Sequence, residues 1–230
     1  MHPTDKAARV AGALYLLLIL TGAFTIYVPR TLIVAGNATA TANNILAHET
    51  LFRLSIVAGL TSLVIFIFLV MALYRLLSGV NKTHASLMVA FVLVSVAVGL
   101  VNVANNIAAF TLLRGAGSFA VFDKPQRDAL AMLLLEVDGQ GLVNQVFWGL
   151  WLFPFGMLVM RSGFLPRVLG VWLIVNGFAY LAISCTGLLL PQYQKMVSRI
   201  AFPAILGEVA IMLWLLIRGA KPHAVAAVAA

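Results

Sequence analysis

Six long runs of apolar residues divide this chain, and they constrain its fold more than any other feature. A helix of about 20 apolar residues crosses the hydrocarbon core of a bilayer, which is about 30 Å thick, and satisfies its own backbone hydrogen bonds there. The sequence therefore predicts an all-α, polytopic transmembrane helical bundle that forms a single domain over residues 1–230. The six predicted spans are Val10–Val28, Leu51–Tyr74, Ser86–Leu112, Leu142–Met160, Val168–Leu190 and Ala201–Ile217.

The composition agrees with a membrane protein. Of the 230 residues, 63% are hydrophobic and 10% are charged, whereas soluble domains carry about 25% charged residues. The formal net charge is +8, and most basic residues lie at the ends of the apolar runs. In such places they contact lipid headgroups and set the topology. Membrane lipids are therefore expected partners, and nucleic acid is not.

The distribution of lysine and arginine indicates how the chain crosses the membrane. With the N-terminus inside, eight basic residues fall in the inner segments and six in the outer segments, which are longer in total. Because cytoplasmic loops are enriched in these residues, both termini are expected in the cytoplasm. The first apolar run exceeds the apolar core of about 7–15 residues in a signal peptide, so we expect it to remain as a helix.

The connector between the third and fourth spans carries a helix pattern of its own. Asp123 is suited to an N-cap, Pro125 is suited to the first turn, and apolar residues follow. We predict a short interfacial helix on the outer side over residues 124–137, ending near Gly139–Gly141. The alternative is one long helix that continues into the fourth span. Pro154 should interrupt that span, because proline lacks the N–H of the helix ladder.

An acidic residue inside the last apolar run is the strongest functional signal. Glu208 is the only charged residue in Phe202–Ile217. A carboxylate inside a bilayer costs on the order of a few kcal/mol unless it is paired, hydrated or protonated. Arg53, near the outer end of the second span, is predicted to pair with Glu208 or, alternatively, with Glu136. Such intramembrane charges tend to mark ligand, ion or proton sites.

Amide side chains extend this polar set on the same predicted side of the membrane. The asparagines of the third span share one helix face. Glu136, Gln140 and Asn144 recur every four residues, and they also share a face if that segment is helical. Together these residues predict an outward-facing polar pocket that binds, or even translocates, a small polar or amphipathic ligand. The predicted ligand-binding residues are Arg53, Asn102, Asn106, Glu136, Gln140, Asn144, Gln145 and Glu208.

Two other interpretations of the polar residues remain open at this stage. The same side chains could form hydrogen bonds between helices in a structural or interaction subunit of a membrane complex. A membrane-embedded enzyme that acts on lipid, with Glu136 or Glu208 as its acid or base, is the third. The sequence does not favour an enzyme, because no nucleophile motif accompanies the acids. With one cysteine and scattered histidines, it also predicts no metal site and no cofactor.

The chain resembles a known family over about residues 8–218. The resemblance lies in Arg9–Tyr15, in Gln145–Gly156, in the Ser-Gly-Phe-Leu-Pro-Arg segment at Ser162–Arg167, and in Gly177–Tyr180. These segments are similar to the bacterial membrane proteins grouped as domain of unknown function 4386. The resemblance implies a multi-span protein of a bacterial inner (plasma) membrane. It implies no particular activity, cofactor or substrate.

Overall fold

The computed structural model describes residues 3–115, 119, 121–139 and 141–220, and nearly all of these residues are helical. No strand occurs in these ranges, so the predicted all-α class is confirmed. A short 3-10 turn, Pro191–Tyr193, precedes the last helix, and a π-helical turn, Trp214–Arg218, ends it. The α-helices are α1 Pro3–Leu32, α2 Ala38–Ala47, α3 Glu49–Leu77, α4 Lys82–Arg114, α5 Lys124–Gly139, α6 Leu142–Leu150, α7 Leu152–Arg161, α8 Arg167–Leu189 and α9 Gln194–Leu213.

Six helical segments of the described residues are long and apolar enough to cross a membrane, which confirms the six predicted spans. The helices begin earlier or end later than most of the predicted spans, because polar residues at both ends continue the helix beyond its apolar stretch. The protein is therefore a multi-pass membrane protein. The segments are Thr4–Leu32, Glu49–Leu77, Lys82–Arg114, Leu142–Arg161, Arg167–Leu189 and Pro191–Arg218.

The predicted helix in the third connector is confirmed as α5. Asp123 and Gln126 cap its start reciprocally: the Gln126 amide donates to Asp123 Oδ1 at 2.8 Å, and the Asp123 amide donates to Gln126 Oε1 at 3.0 Å. The helix ends at Gly139, and Gly141 takes a positive φ of 56°. The alternative of one long helix into the fourth span is therefore wrong. The placement of α5 at the outer membrane surface stays a prediction.

Helix α2 was not predicted from the sequence. Asn37 caps its start, because its Oδ1 accepts from the Ala40 amide at 2.9 Å. The Asn44 side chain donates to the Leu32 carbonyl at 3.2 Å, which ties α2 to the end of α1. Helix α5 packs against α2. These two short helices thereby enclose an apolar cluster that includes Ile45 and Leu135.

The fourth span is interrupted where proline was expected to interrupt it. Pro154 has no N–H to donate to the Leu150 carbonyl. Helix α6 ends at Leu150 and α7 begins at Leu152, with Trp151 between them in helical conformation. The amide of Trp151 still donates to the Phe147 carbonyl at 3.1 Å, so helical hydrogen bonding continues up to the interruption.

The described residues form two compact units, which we call unit one and unit two. Unit one is drawn from Met1–Leu16, Phe66–Ser95 and Leu142–Ala230, and unit two from Leu17–Ile65 and Val96–Gly141. Helices α1, α3 and α4 contribute residues to both units. The assignment of the whole chain to a single domain stays a prediction.

Glycines allow the backbones of unit one to approach closely. Helix α8 packs against α6 and α7. A Cβ on Gly156 would lie 2.6 Å from the Gly170 carbonyl oxygen, and a Cβ on Gly149 would lie 2.7 Å from that of Gly177. The two contacts are seven residues apart along the chain on both sides, from Gly149 to Gly156 and from Gly170 to Gly177. Small residues have this role in membrane helices, where packing rather than water exclusion drives association.

We expect Gly156→Ala to destabilise the protein. The added methyl group must push α7 and α8 apart, and overpacking of this kind costs about 1–3 kcal/mol. Thermal unfolding of the purified protein in detergent measures the effect. Gly22→Ala is the matched control, because Gly22 also lies in a helix and its nearest non-local atom would be 3.7 Å from the new Cβ. Equal melting temperatures for both variants would contradict the assigned contact.

Candidate functional site

Glu208 lies at the junction of three helices of unit one. Its Oε1 accepts a hydrogen bond from the hydroxyl of Tyr15, on α1, at 2.6 Å. Its Oε2 accepts from the hydroxyl of Tyr180 at 2.9 Å and from Nδ2 of Asn176 at 3.1 Å, both on α8. A carboxylate offers about four lone-pair sites, so three of them are filled by neutral donors. We call these four residues the Glu208 cluster.

Local geometry explains why α8 supplies two of the three donors. Asn176 and Tyr180 are four residues apart, so their side chains lie on the same helix face. Helix α9 approaches that face closely at Gly207, where an added Cβ would lie 2.9 Å from the Trp172 ring. The Trp172 indole also donates to the Pro203 carbonyl at 3.2 Å. The two helices are thus held in a register that brings Glu208 to its donors.

Aromatic rings surround the cluster within unit one. Tyr15 is 1% exposed, and its ring centroid lies 6.2 Å from that of Trp151. Trp151 stacks on Phe155 at 5.3 Å, and Trp148 meets Tyr180 edge-on at 5.9 Å. These contacts fix the two tyrosine rings and therefore the direction of their hydroxyl groups.

Other polar residues of unit one also bond from helix to helix. Asn144, one of the predicted ligand-binding residues, is buried on α6, and its Oδ1 accepts from the hydroxyl of Ser95, on α4, at 2.6 Å. Ser184 of α8 donates to the Leu142 carbonyl at 2.7 Å. Gln145 lies half-buried next to Asn144 on α6. The hydrogen bonds made by Asn144 and Ser184 agree with the alternative interpretation, in which polar side chains join helices to one another.

Arg53 belongs to unit two and has a different environment. Its Nη2 lies 2.7 Å from Glu49 Oε1, one helical turn away on α3. Its guanidinium carbon lies 5.0 Å from the centre of the Phe110 ring, which is a cation–π distance. Arg114 approaches the same Glu49 oxygen at 3.9 Å. The side chains of Arg53 and Arg114 are about half exposed, at 51% and 52%.

These two arginines line an open groove of unit two, which we call the α3–α4 groove. Its volume is about 680 Å³, within the range of about 300–1,000 Å³ that is typical of ligand pockets. Both cationic residues lie near helix ends, and apolar side chains form most of the remaining wall. The lining residues are Arg53, Ile56, Val57, Ile107, Phe110, Thr111 and Arg114.

The remaining predicted residues fall into unit two or outside the described residues. Asn102 and Asn106 lie on α4, where Asn106 Nδ2 donates to the Asn102 carbonyl at 3.0 Å. Glu136 is exposed on α5. Glu136 was expected to share a helix face with Asn144 if the segment between them is helical, and this condition is not met, because α5 ends at Gly139 and α6 begins at Leu142. Gln140 itself lies outside the described residues.

The predicted site residues therefore divide between the two units. Arg53, Asn102, Asn106 and Glu136 belong to unit two, and Asn144, Gln145 and Glu208 belong to unit one. Direct pairing of Arg53 with Glu208 stays a prediction. In unit two, the ion pairs of the described residues place Arg53 with Glu49, and its alternative pairing with Glu136 is not among them.

Sequence reasoning missed most of the partners of both charged residues. Tyr15, Asn176 and Tyr180 lie inside apolar spans, where single polar groups attract little attention. The spacing of Asn176 and Tyr180, four residues apart, was the available signal. Arg114 is one of the six basic residues of the outer segments in the topology count, and this placed it on the same predicted membrane side as Arg53. Among the described residues, no group of three or more His, Cys, Asp or Glu side chains could hold a metal ion.

The six spans and their interhelical hydrogen bonds define a polytopic α-helical membrane protein. The chain belongs to the family described as domain of unknown function DUF4386, whose model matches residues 10–219. The resemblance carried by the sequence segments is thereby confirmed. Comparison with curated proteins and with solved structures gave no match.

We expect Tyr15→Phe to lower stability by about 1 kcal/mol, because it removes one donor from Glu208 and keeps the aromatic packing. Thermal unfolding in detergent measures the change. Tyr27→Phe is the control, since Tyr27 lies on the same helix and is 69% exposed. A loss of stability that is equal in the two variants would contradict the role of the Tyr15 hydroxyl.

Proposed function

We propose that this protein binds an amphipathic ligand with a negatively charged end in the α3–α4 groove. Arg53 and Arg114 would contact the charged end, and the apolar wall would contact the rest of the ligand. The observation that carries the proposal is the presence of two half-exposed guanidinium groups at an otherwise mostly apolar groove of about 680 Å³. The protein would do this in a bacterial inner membrane, with both termini in the cytoplasm.

The charges at the groove favour an anionic ligand. Two guanidinium groups are balanced there by a single carboxylate, Glu49. The 2.7 Å contact engages Arg53, whereas Arg114 stays at 3.9 Å, beyond hydrogen-bond distance. Arginine presents five N–H donors, and two of them can form parallel hydrogen bonds to two oxygens of a carboxylate or a phosphate. Arg114 is therefore the better placed of the two to receive a ligand, and Phe110 limits the freedom of Arg53.

Helix α4 carries further polar side chains in line with the groove residues. Asn102, Asn106, Phe110 and Arg114 recur every four residues along this helix. That spacing forms a continuous stripe on the helix surface. The predicted amides would thus follow the groove residues along α4, where they could contact further polar atoms of a ligand. On the predicted topology, the ends of α3 and α4 that carry the arginines face outward. Movement of the ligand across the membrane would be a further step, which this proposal does not require.

Binding of dodecanoate tests the proposal, because this molecule combines one carboxylate with an apolar chain. We expect saturable binding in nonionic detergent, measured by equilibrium dialysis, and an affinity about fivefold weaker in Arg114→Gln, since an exposed charged contact contributes about 1 kcal/mol. Arg199→Gln is the control, because Arg199 is an exposed arginine of unit one. Dodecanol should not distinguish the variants. Equal dodecanoate affinity in wild type and Arg114→Gln would contradict the proposal.

A structural role is the second candidate, and the Glu208 cluster is the observation that favours it. Two phenols and an amide already satisfy this carboxylate, and the bonds join α1, α8 and α9. A residue so fully occupied is better suited to hold helices than to receive a ligand. On this proposal Glu208 is an anchor of unit one, and ligand contact is left to unit two.

We expect Glu208→Gln to lower the free energy of unfolding by about 1–3 kcal/mol. The NH₂ group of the new side chain would face the donors that now bind the carboxylate, and it could not accept their hydrogen bonds. Thermal unfolding measures the stability, and dodecanoate affinity should stay unchanged. Glu136→Gln is the control, since Glu136 is an exposed glutamate on α5. A stable Glu208→Gln variant with altered dodecanoate binding would instead place Glu208 in the ligand site.

A further inference from the structure

A second depression lies in unit one, at the ends of four helices. It is formed by the turn from α3 to α4 and the loop from α7 to α8, and its volume is about 290 Å³. The loop from α7 to α8 contains the Ser-Gly-Phe-Leu-Pro-Arg segment, which neither the groove nor the Glu208 cluster uses. We call this depression the basic hollow. Its lining residues are Leu76, Gly79, Val80, Arg161, Ser162 and Phe164.

Hydrogen bonds hold the α7–α8 loop in one shape. Ser162 is 3% exposed, and its hydroxyl donates to the Val159 carbonyl at 2.9 Å and accepts from the Leu165 amide at 3.1 Å. Gly163 follows with a φ of 70°, a conformation that a side chain would strain. The wall that carries Arg161 is therefore preorganised, which reduces the ordering cost of binding.

Unbalanced positive charge surrounds the basic hollow. Arg161 lines it, and three further basic residues lie within three positions of a lining residue: Arg75, Lys82 and Arg167. All four side chains are exposed. Within the described residues, none of them forms an ion pair.

The acids of unit one cannot supply the missing charge. In its described part there are two, Asp5 and Glu208. Asp5 lies 3.3 Å from Arg9, and Glu208 accepts its three hydrogen bonds inside the helix bundle. No carboxylate of the described part of unit one is therefore left to balance the four basic residues.

We infer that the basic hollow binds the phosphate headgroup of an anionic phospholipid. Basic pockets between transmembrane helices at the cytoplasmic side are suited to such headgroups, and arginine can engage a phosphate through two parallel hydrogen bonds. A lipid is favoured over a free anion because apolar surface adjoins the charges. Val168 follows Arg167 directly and is 67% exposed, so an acyl chain can lie beside the helix while the headgroup contacts the basic residues. The site lies in unit one and does not depend on the α3–α4 groove.

Competition between two lipids with the same acyl chains tests this inference. The purified protein is mixed in nonionic detergent with equal amounts of phosphatidylglycerol and phosphatidylcholine, and the retained lipids are counted by native mass spectrometry. We expect preferential retention of phosphatidylglycerol, and a preference about fivefold smaller in Arg161→Gln. Arg199→Gln, which changes an exposed arginine of the same unit away from the hollow lining, should keep the wild-type ratio.

Three results would overturn the inference. The first is equal retention of the two lipids by the wild type, and the second is an unchanged ratio in Arg161→Gln. The third is displacement of phosphatidylglycerol by millimolar inorganic phosphate, which would assign the hollow to free anions. If Arg161→Gln does not fold, Arg75→Gln takes its place, because Arg75 is exposed beside Leu76 and forms no ion pair with the residues that the structure describes. Loss of dodecanoate binding in Arg114→Gln would leave this result unaffected.

Discussion

A carboxylate in a membrane span has little water to donate hydrogen bonds to it, so its donors must come from neighbouring helices. Glu208 obtains two phenols and one amide, and this requirement links the positions of α1, α8 and α9. Asn176 and Tyr180 are one turn apart on α8. A shift of α8 by a single residue would turn both donors away from Glu208 together. The polar contact therefore selects one register from the many that apolar packing alone would allow.

Glycines position the same helix, α8, against α6 and α7. Gly170 and Gly177 of α8 approach Gly156 and Gly149 so closely that no Cβ fits between the backbones. Gly177 follows Asn176 directly, so close backbone packing and hydrogen bonding to Glu208 meet within one turn of α8. Dispersion forces between backbones are individually weak, and they gain specificity here from the hydrogen bonds beside them. The glycine contacts bring the helices close together, and the hydrogen bonds to Glu208 fix their register.

The spans could be predicted from the sequence, because the length of an apolar run and the thickness of a bilayer decide them almost without reference to other residues. The start of α5 was also predictable, since the capping residue Asp123 acts on its own neighbours. The unbroken helix that would place Glu136 and Asn144 on one face is also decided locally, and it does not form. Gly141 takes a left-handed conformation between α5 and α6, and periodicity carries no information across such a break.

The neutral donors that surround Glu208 could not be predicted in the same way. Glu208 was conspicuous because it is charged, whereas Tyr15, Asn176 and Tyr180 are ordinary members of apolar spans until three helices bring them together. The predicted pair of Arg53 and Glu208 rests on their opposite charges. In the structure, neutral donors satisfy Glu208 within unit one, and Glu49 on the preceding turn of α3 accompanies Arg53 within unit two. Opposite charge does not identify the neutral donors of Glu208, and direct pairing of Arg53 with Glu208 stays a prediction.

The arginines of this protein differ mainly in how far their charge is balanced. Arg9 has Asp5 one turn away, and Arg53 has Glu49, so each can be satisfied without an external partner. Arg114 shares the Glu49 carboxylate at a longer distance, and Arg161 has no ion pair within the described residues. An external anion must displace the carboxylate that a paired arginine already contacts, whereas an unpaired arginine has no such contact to lose. The capacity to bind anions should therefore rise from Arg9 through Arg53 and Arg114 to Arg161, and the last two lie where apolar surface can hold the remainder of an amphipathic molecule.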